Sequence, residues 1–128
     1  MSLTNAFETH TLNYLLTTGS VTRPTNWYIG LFTSDPTDTG AAGTEVSGFS
    51  YARTAVTFSV AADVASNTAG VEFPAASGGN WGTIGWIGIM DAASGGNMII
   101  HSALTVAKAI NDGDVFRIPT GDLDITAS

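Results

Sequence analysis

Few side chains of this sequence could carry out chemistry. The two histidines, His10 and His101, are candidates for acid–base work, and no cysteine is present to act as a nucleophile or form a disulfide. No serine lies in a Gly-x-Ser-x-Gly turn, and no Gly-Lys-Ser/Thr loop is present to hold a phosphate. Catalysis would require one histidine in a cleft beside a carboxylate. We predict instead that both histidines are structural, that the chain is not an enzyme and that it uses no cofactor.

The densest polar group is a set of carboxylates in the last twenty residues. Asp112 and Asp114 flank Gly113, whereas Asp122 and Asp124 are two residues apart and would share one face of a strand. Two such pairs could hold Ca²⁺, but the first lacks the closing glutamate of an EF-hand loop. We interpret all four as turn residues and solvated charges on an edge strand, and we predict no metal site. Whether they contact an ion stays open.

The few cations and the tryptophans are predicted to be structural. Arg53 and Arg117 are two of only four Lys and Arg residues, and each is expected to pair with an acidic residue within the chain or across an interface. Trp27, Trp81 and Trp86 are expected to lie in the core, with Trp81, beside a run of glycines, the best candidate for a surface contact. An exposed aromatic platform that binds carbohydrate is the alternative for these three side chains.

The composition indicates one domain that assembles with proteins rather than with nucleic acid. The 128 residues carry a net charge of −7, which disfavours a phosphate backbone and an anionic membrane surface. Charged residues make up 12% and Ala, Gly, Ser and Thr together 61 positions, a surface suited to permanent contacts. No apolar run approaches the roughly 18 residues of a membrane span, and the N-terminus lacks the basic and apolar segments of a signal peptide.

The sequence predicts one helix, over residues 4–18. Thr4 or Asn5 can cap it, Glu8 has the spacing of a capping box, and Gly19 stands where a terminating glycine would lie. Its apolar residues form a one-sided stripe, typical of a helix that lies on a sheet or on a partner. These residues are Ala6, Phe7, Tyr14 and Leu15, with Leu12 and Leu16 offset.

The rest of the sequence predicts short strands separated by turns. The predicted strands are 27–33, 51–60, 71–73, 81–91, 98–106, 115–118 and 122–126. Residues 61–70 are predicted to turn, and 35–50 to form a long loop that is functional or docked on a neighbour. The three glycines within 81–91 are expected at bulges or where another backbone approaches closely. We therefore predict a single, mainly β domain.

This domain is predicted to be an antiparallel β-sandwich or a jelly-roll-like fold over residues 21–128, preceded by a helical docking segment over residues 1–20. No internal repeat and no heptad pattern is present, so the chain cannot build a long shaft by itself. The helix and the 35–50 loop are the candidate docking elements.

Taken together, several segments resemble one known family. They are NAFE (5–8), WYIGLFTSDP (27–36), EVSG (45–48), YAR (51–53), NTAGVEFPAA (67–76), WGTI (81–84), DAASGGN (91–97), AL (103–104), GD (113–114) and GDL (121–123). The chain resembles small proteins of tailed bacteriophages and prophages that are usually labelled phage tail fibre protein. The likeness covers nearly the whole chain. Its markers are mostly turn and strand residues, and the family has no catalytic signature to transfer.

The resemblance implies a virion structural protein, assembled in the host cytoplasm. Proteins of this type decorate capsids as well as tails, so two readings follow. We favour a capsid-decorating cement protein that bridges subunits of the major capsid protein, over a tail fibre, tail-tip or adaptor component that contacts tail proteins and binds a host surface or carbohydrate. A homo-oligomer is expected, a trimer by analogy with icosahedral threefold positions. The expected interface residues are Phe7, Tyr14, Leu15, Asp35, Pro36 and Trp81.

Overall fold

A computed structural model describes residues 2–127, and it confirms a mainly β, antiparallel sandwich with one helix. In chain order the elements are β1 (Ser2–Leu3), α1 (Asn5–Leu16), β2 (Tyr28–Phe32), β3 (Thr54–Ala55), β4 (Phe58–Ala61), β5 (Val64–Asn67), β6 (Val71–Glu72), β7 (Gly82–Met90), β8 (Met98–Ile110), β9 (Arg117–Ile118) and β10 (Asp124–Thr126). They form three sheets with the strand orders β1-β8-β7-β2-β3, β10-β5-β4 and β6-β9.

One continuous hydrophobic core joins the three sheets. Its largest fully buried side chains come from different sheets: Phe73, just after β6, Ile29 and Leu31 of β2, and Ile84 of β7. Phe73 packs edge-on against Phe116, with 5.6 Å between the ring centroids. The predicted burial of β7 on both faces is seen in its second half, where Ile87 and Ile89 lie in this core and Met90, on the opposite face, packs in a smaller cluster with Phe32 and Met98.

Of the β7 glycines, Gly85 has a role that the sequence predicts, and Gly88 has a different one. Gly85 lies at a register shift between β7 and β8. Gly88 pairs with Gly30 of β2, and a Cβ at Gly88 would lie 2.5 Å from Met98 Cε and 3.1 Å from Phe32 Cε1. The close approach at Gly88 is therefore made by side chains and not by another backbone.

The register shift makes a protrusion on β8. Ile84 pairs with Lys108 and Trp86 with Ala103, so residues 104–107 lie opposite Gly85 alone. Val106 in this bulge is 70% exposed. The strand predicted from the sequence ends at residue 106, whereas β8 runs on to Ile110.

Two strand predictions were wrong in a related way. The predicted strand 51–60 is two strands, because β3 pairs with β2 in the large sheet and β4 pairs with β5 in the three-stranded sheet. The predicted turn 61–70 contains β5, which is joined to β4 by a tight turn in which Ala62 has a φ of +54°. The other predicted strands are present, with shorter bounds in most cases.

The helix is shorter than predicted and is held differently. Thr4 is its N-cap residue, but the Thr4 hydroxyl donates 2.7 Å to the Met98 carbonyl oxygen and makes no capping bond. The predicted capping box is therefore absent. The helix ends at Leu16 with Thr17, not Gly19, as its C-cap.

Candidate assembly surface

The second half of α1 is an uncovered apolar surface. Within Asn5–Leu16 the helix buries one residue, Phe7, so the predicted apolar stripe does not lie on the sheet. The large apolar side chains beyond Phe7 are exposed: Leu12 by 58%, Tyr14 by 74%, Leu15 by 65% and Leu16 by 77%. We call these four residues the helix patch. Phe7, β1 and Thr4 anchor the start of the helix, while its end extends away from the core.

The chain after the helix returns alongside it and leaves a groove of about 420 Å³. The groove is lined by Phe7, His10, Thr11, Tyr14, Leu15, Val21, Thr22, Arg23 and Pro24. Sequence reasoning identified Tyr14 and Leu15 but missed the segment 21–24, whose only signal was a proline beside one of the four cations. Arg23 makes no ion pair with the other residues between 2 and 127.

The expected interface residues do not come together. Tyr14 and Leu15 are exposed in the helix patch, and Asp35 is exposed on the loop after β2. By contrast Phe7, Pro36 and Trp81 are buried within the chain. Phe7 lies in the first turns of α1, Pro36 follows β2 and Trp81 directly precedes β7. These positions pack inward, so the three side chains offer no free surface to a partner.

The 35–50 loop is docked on its own chain. Its Asp38 carbonyl oxygen accepts a 2.8 Å hydrogen bond from the Asn5 amide at the start of α1. Gly40 lies against Thr4 and Met98, where an added Cβ would be 3.2 and 3.1 Å from them. The loop thus fixes the anchored end of the helix.

A charged network secures the far end of this loop. Arg53 grips Glu45 with two 2.8 Å hydrogen bonds, and its Nη1 donates to the carbonyl oxygens of Ala92 and Gly95 in the β7–β8 turn. The Tyr51 hydroxyl donates 2.6 Å to Glu45. The Arg53 side chain is only 9% exposed. The prediction that Arg53 pairs with an acidic residue is confirmed.

The network shifts the titration of its members. Burial would raise the pKa of Glu45, but the hydrogen bonds from Arg53 and Tyr51 and the charge of Arg53 outweigh it and hold the pKa below 4.5. Burial and the bond to Glu45 raise the pKa of Tyr51 well above 10.0. The bond to Glu45 also raises the pKa of Arg53, against the effect of burial. Glu45 is therefore a carboxylate at neutral pH.

The second arginine pair is exposed. Arg117 Nε donates 3.1 Å to Glu72 across the β6–β9 pair, and both side chains are more than 60% exposed. The prediction for Arg117 is also confirmed.

One histidine has the carboxylate neighbour that an enzyme would need. His101 Nε2 lies 2.9 Å from Asp38 Oδ1, beside a shallow depression also lined by Ser2, Asp35 and Ser102. The hydroxyl of the adjacent Ser102 donates to the Ala103 carbonyl oxygen. The pair links β8 to the 35–50 loop, and the absence of enzymatic activity remains a prediction. His10 instead stacks on Phe7, with 4.7 Å between the ring centroids.

The clustered carboxylates serve turns and strand pairing. Asp112 accepts a 3.1 Å bond from the Gly78 amide, and Asp114 accepts a 2.9 Å bond from the Asn111 amide. Asp124 accepts from the Ser66 hydroxyl on the neighbouring strand. Over residues 2–127 no three His, Asp or Glu side chains converge in a metal-binding arrangement.

The tryptophans pack inward. Trp81 is buried, its Nε1 donates 2.9 Å to the Phe49 carbonyl oxygen, and its ring meets Tyr51 edge-on at 5.3 Å. Trp27 is half-buried against the main core, and Trp86 is half-buried against the cluster of Phe32, Met90 and Met98. Burial removes Trp81 from a carbohydrate-binding platform, whereas Trp27 and Trp86 are partly exposed and Trp86 lines the depression beside His101.

The structure is thus a small β-sandwich whose helix ends in exposed apolar side chains. In the part of the chain that the structure describes, no helix has the length and apolar character needed to cross a membrane. A family model described as "Podophage GP4 fiber I protein gp80" matches residues 2–126. The chain therefore belongs to this family and is a structural fibre protein of a bacteriophage virion. No curated protein matches the chain.

Proposed function

We propose that this chain is a subunit of the tail fibre assembly, an adaptor or tip component that is held in the particle by the helix patch. The family is one of fibre proteins, and its match spans residues 2–126. It therefore favours the tail reading over capsid decoration, which was the first expectation from the sequence. Because the sequence has no repeat and no heptads, the subunit adds to a fibre and does not form its shaft.

The observation that carries the proposal is the exposure of the helix patch. Its four side chains are 58–77% exposed on one half of a 12-residue helix. Fully burying a leucine side chain contributes about 1.5–3 kcal/mol, so covering the patch would stabilise a complex by several such increments. Four of the last five residues of α1 are large and apolar, and groups of exposed apolar side chains on soluble domains often mark sites of protein contact.

The chemistry of the patch describes its partner. The groove beside Tyr14 and Leu15, of about 420 Å³, has room for several apolar side chains, and Arg23 lines it without an ion pair to any residue from 2 to 127. A neighbouring tail protein that presents an aliphatic or aromatic side chain next to a carboxylate fits both features. The role of the chain is mechanical, through a permanent contact and without catalysis.

The test is particle assembly with a charged helix patch. A phage deleted for this gene is complemented with the wild-type chain, with Leu15→Lys/Leu16→Lys, or with Val106→Lys as a control for exposure. Leu16 and Val106 are 77% and 70% exposed, so the control places one lysine on a similarly exposed apolar site. We expect purified particles to lose the double variant and to keep the control. Incorporation of the double variant at the wild-type level would contradict the proposal.

The location in the particle is tested by copy number. Gel densitometry of purified wild-type particles should give a few to a few dozen copies. Hundreds of copies would place the chain on the capsid and return the cement reading.

A further inference from the structure

The strand β4 is an open edge of its sheet. Within residues 2–127 it pairs with β5 alone, so one side of its backbone has no strand partner. In an antiparallel strand, alternate residues direct their amide and carbonyl groups to each side. Ser59 and Ala61 are exposed and Val60 is 73% exposed, so nothing covers this edge from the side.

The other sheet edges in the described chain are protected in ways that β4 is not. β1, β3, β6 and β9 are two residues long, β10 carries Asp124 and follows Asp122, and the part of β8 that extends beyond β1 carries the 104–107 bulge and Lys108. Short edge strands and charges are the usual means of preventing edge-to-edge pairing. β4 has four residues, and no charged residue occurs from 54 to 62.

We infer that β4 pairs antiparallel with β4 of a second copy of this chain. The result is a continuous six-stranded sheet, β10-β5-β4 of one copy followed by β4-β5-β10 of the other, related by a twofold axis. The unmet backbone groups of one edge are satisfied by the same groups of the other. This inference does not depend on the fibre role or on the helix patch.

Charge favours the antiparallel direction and leaves the uncharged β4 edge as a surface where a second copy can approach. Each chain carries −7, so two copies repel wherever acidic surfaces meet. Pairing through 54–62 brings no charged side chains directly opposite one another. The nearest acid is Asp63, in the turn after β4, and the antiparallel arrangement places the two Asp63 residues at opposite ends of the paired strands. A parallel arrangement would place them side by side.

The experiment measures the oligomeric state of the purified full chain. Sedimentation velocity and light scattering are run up to about 100 μM, where an interface with a Kd of about 10 μM is mostly occupied. We expect a dimer for the wild type and a Kd raised about tenfold or more by Val60→Lys, because two lysines then approach across the twofold axis. Val106→Lys, at a similarly exposed valine in the β8 bulge and away from β4, should dimerise as the wild type does.

Cross-linking tests the same contact without charge. The chain has no cysteine, so Ser59→Cys introduces a unique thiol, and a short bifunctional thiol-reactive cross-linker should link two copies. A monomeric wild type at the highest concentration, or a Ser59→Cys variant that gives no linked dimer, overturns the inference. A dimer that Leu15→Lys/Leu16→Lys disrupts and Val60→Lys leaves intact also overturns it, and assigns self-association to the helix patch instead.

Discussion

The Arg53 network and the helix patch differ in whether their side chains have partners within the chain. Around Arg53, a buried cation meets a carboxylate and two backbone carbonyl oxygens, and Glu45 also accepts from the Tyr51 hydroxyl. On the second half of α1, four large apolar side chains meet no other part of the described chain closely enough to be buried. The charged groups of the first region are paired within the chain, whereas the apolar side chains of the second remain exposed.

This difference separates stability from assembly. The network ties the 35–50 loop to the β7–β8 turn and so closes the fold on itself. The helix patch contributes little to folding, since Phe7 supplies the buried contact of the helix. Substitutions in the two regions should therefore have opposite consequences, a large change in stability for the network and a loss of assembly for the patch.

The largest expected effect comes from removing Arg53. Arg53→Ala leaves the Glu45 carboxylate half-buried without its cation, and we expect the free energy of unfolding to fall by about 3 kcal/mol. Urea denaturation followed by tryptophan fluorescence measures it. Arg117→Ala is the matched control, because it breaks an Arg–Glu pair that is exposed. Its loss should lower the free energy of unfolding by less than about 1 kcal/mol. Equal losses in the two variants would remove the distinction between the pairs.

A smaller effect is expected from the turn that Arg53 grips. Gly96 has a φ of +68°, and a Cβ there would lie 2.7 Å from Ala92 Cβ and against the Asp91 carboxylate. Gly96→Ala should lower stability by about 2 kcal/mol, through left-handed strain and crowding together. Gly95→Ala is the control, with a φ of +61° and open space around it, and should cost about 1 kcal/mol from strain alone. Thermal unfolding of both variants compares them, and a harmless Gly96→Ala would contradict the packing described for this turn.

The sequence predicted the strands that carry bulky or aromatic residues and missed those that do not. β2 and β7 are rich in isoleucine and aromatic side chains, and both are present where expected. β5, with the sequence VASN, has little strand propensity of its own and forms because it pairs with β4 and β10. Residues 51–60 alternate in the sequence without a break, although the chain changes sheet within them. The Val56 amide donates to the Trp27 carbonyl oxygen beside the large sheet, whereas Phe58 pairs with Asn67 in the three-stranded sheet.

The candidate surface was predictable only in part. Helix formation is a local property, and the sequence indicated it together with an interface at Tyr14 and Leu15. Which side of α1 is buried depends on tertiary contacts, and here β1 and the 35–50 loop hold only the first turns. The burial of Trp81 and Pro36, and the return of 21–24 alongside the helix, are likewise set by distant partners.

The smallest expected effect on stability is in the helix patch itself. Leu15→Lys/Leu16→Lys replaces two exposed side chains with another good helix former, and lysine near a helix C-terminus suits the helix dipole. We expect the free energy of unfolding to change by no more than about 0.5 kcal/mol, as for other exposed positions. Urea denaturation of the purified chain measures this under the conditions used for Arg53→Ala. A loss comparable to that of Arg53→Ala would mean that the patch supports the fold, and a failure of particle assembly in this variant would then reflect unfolding and not a lost contact.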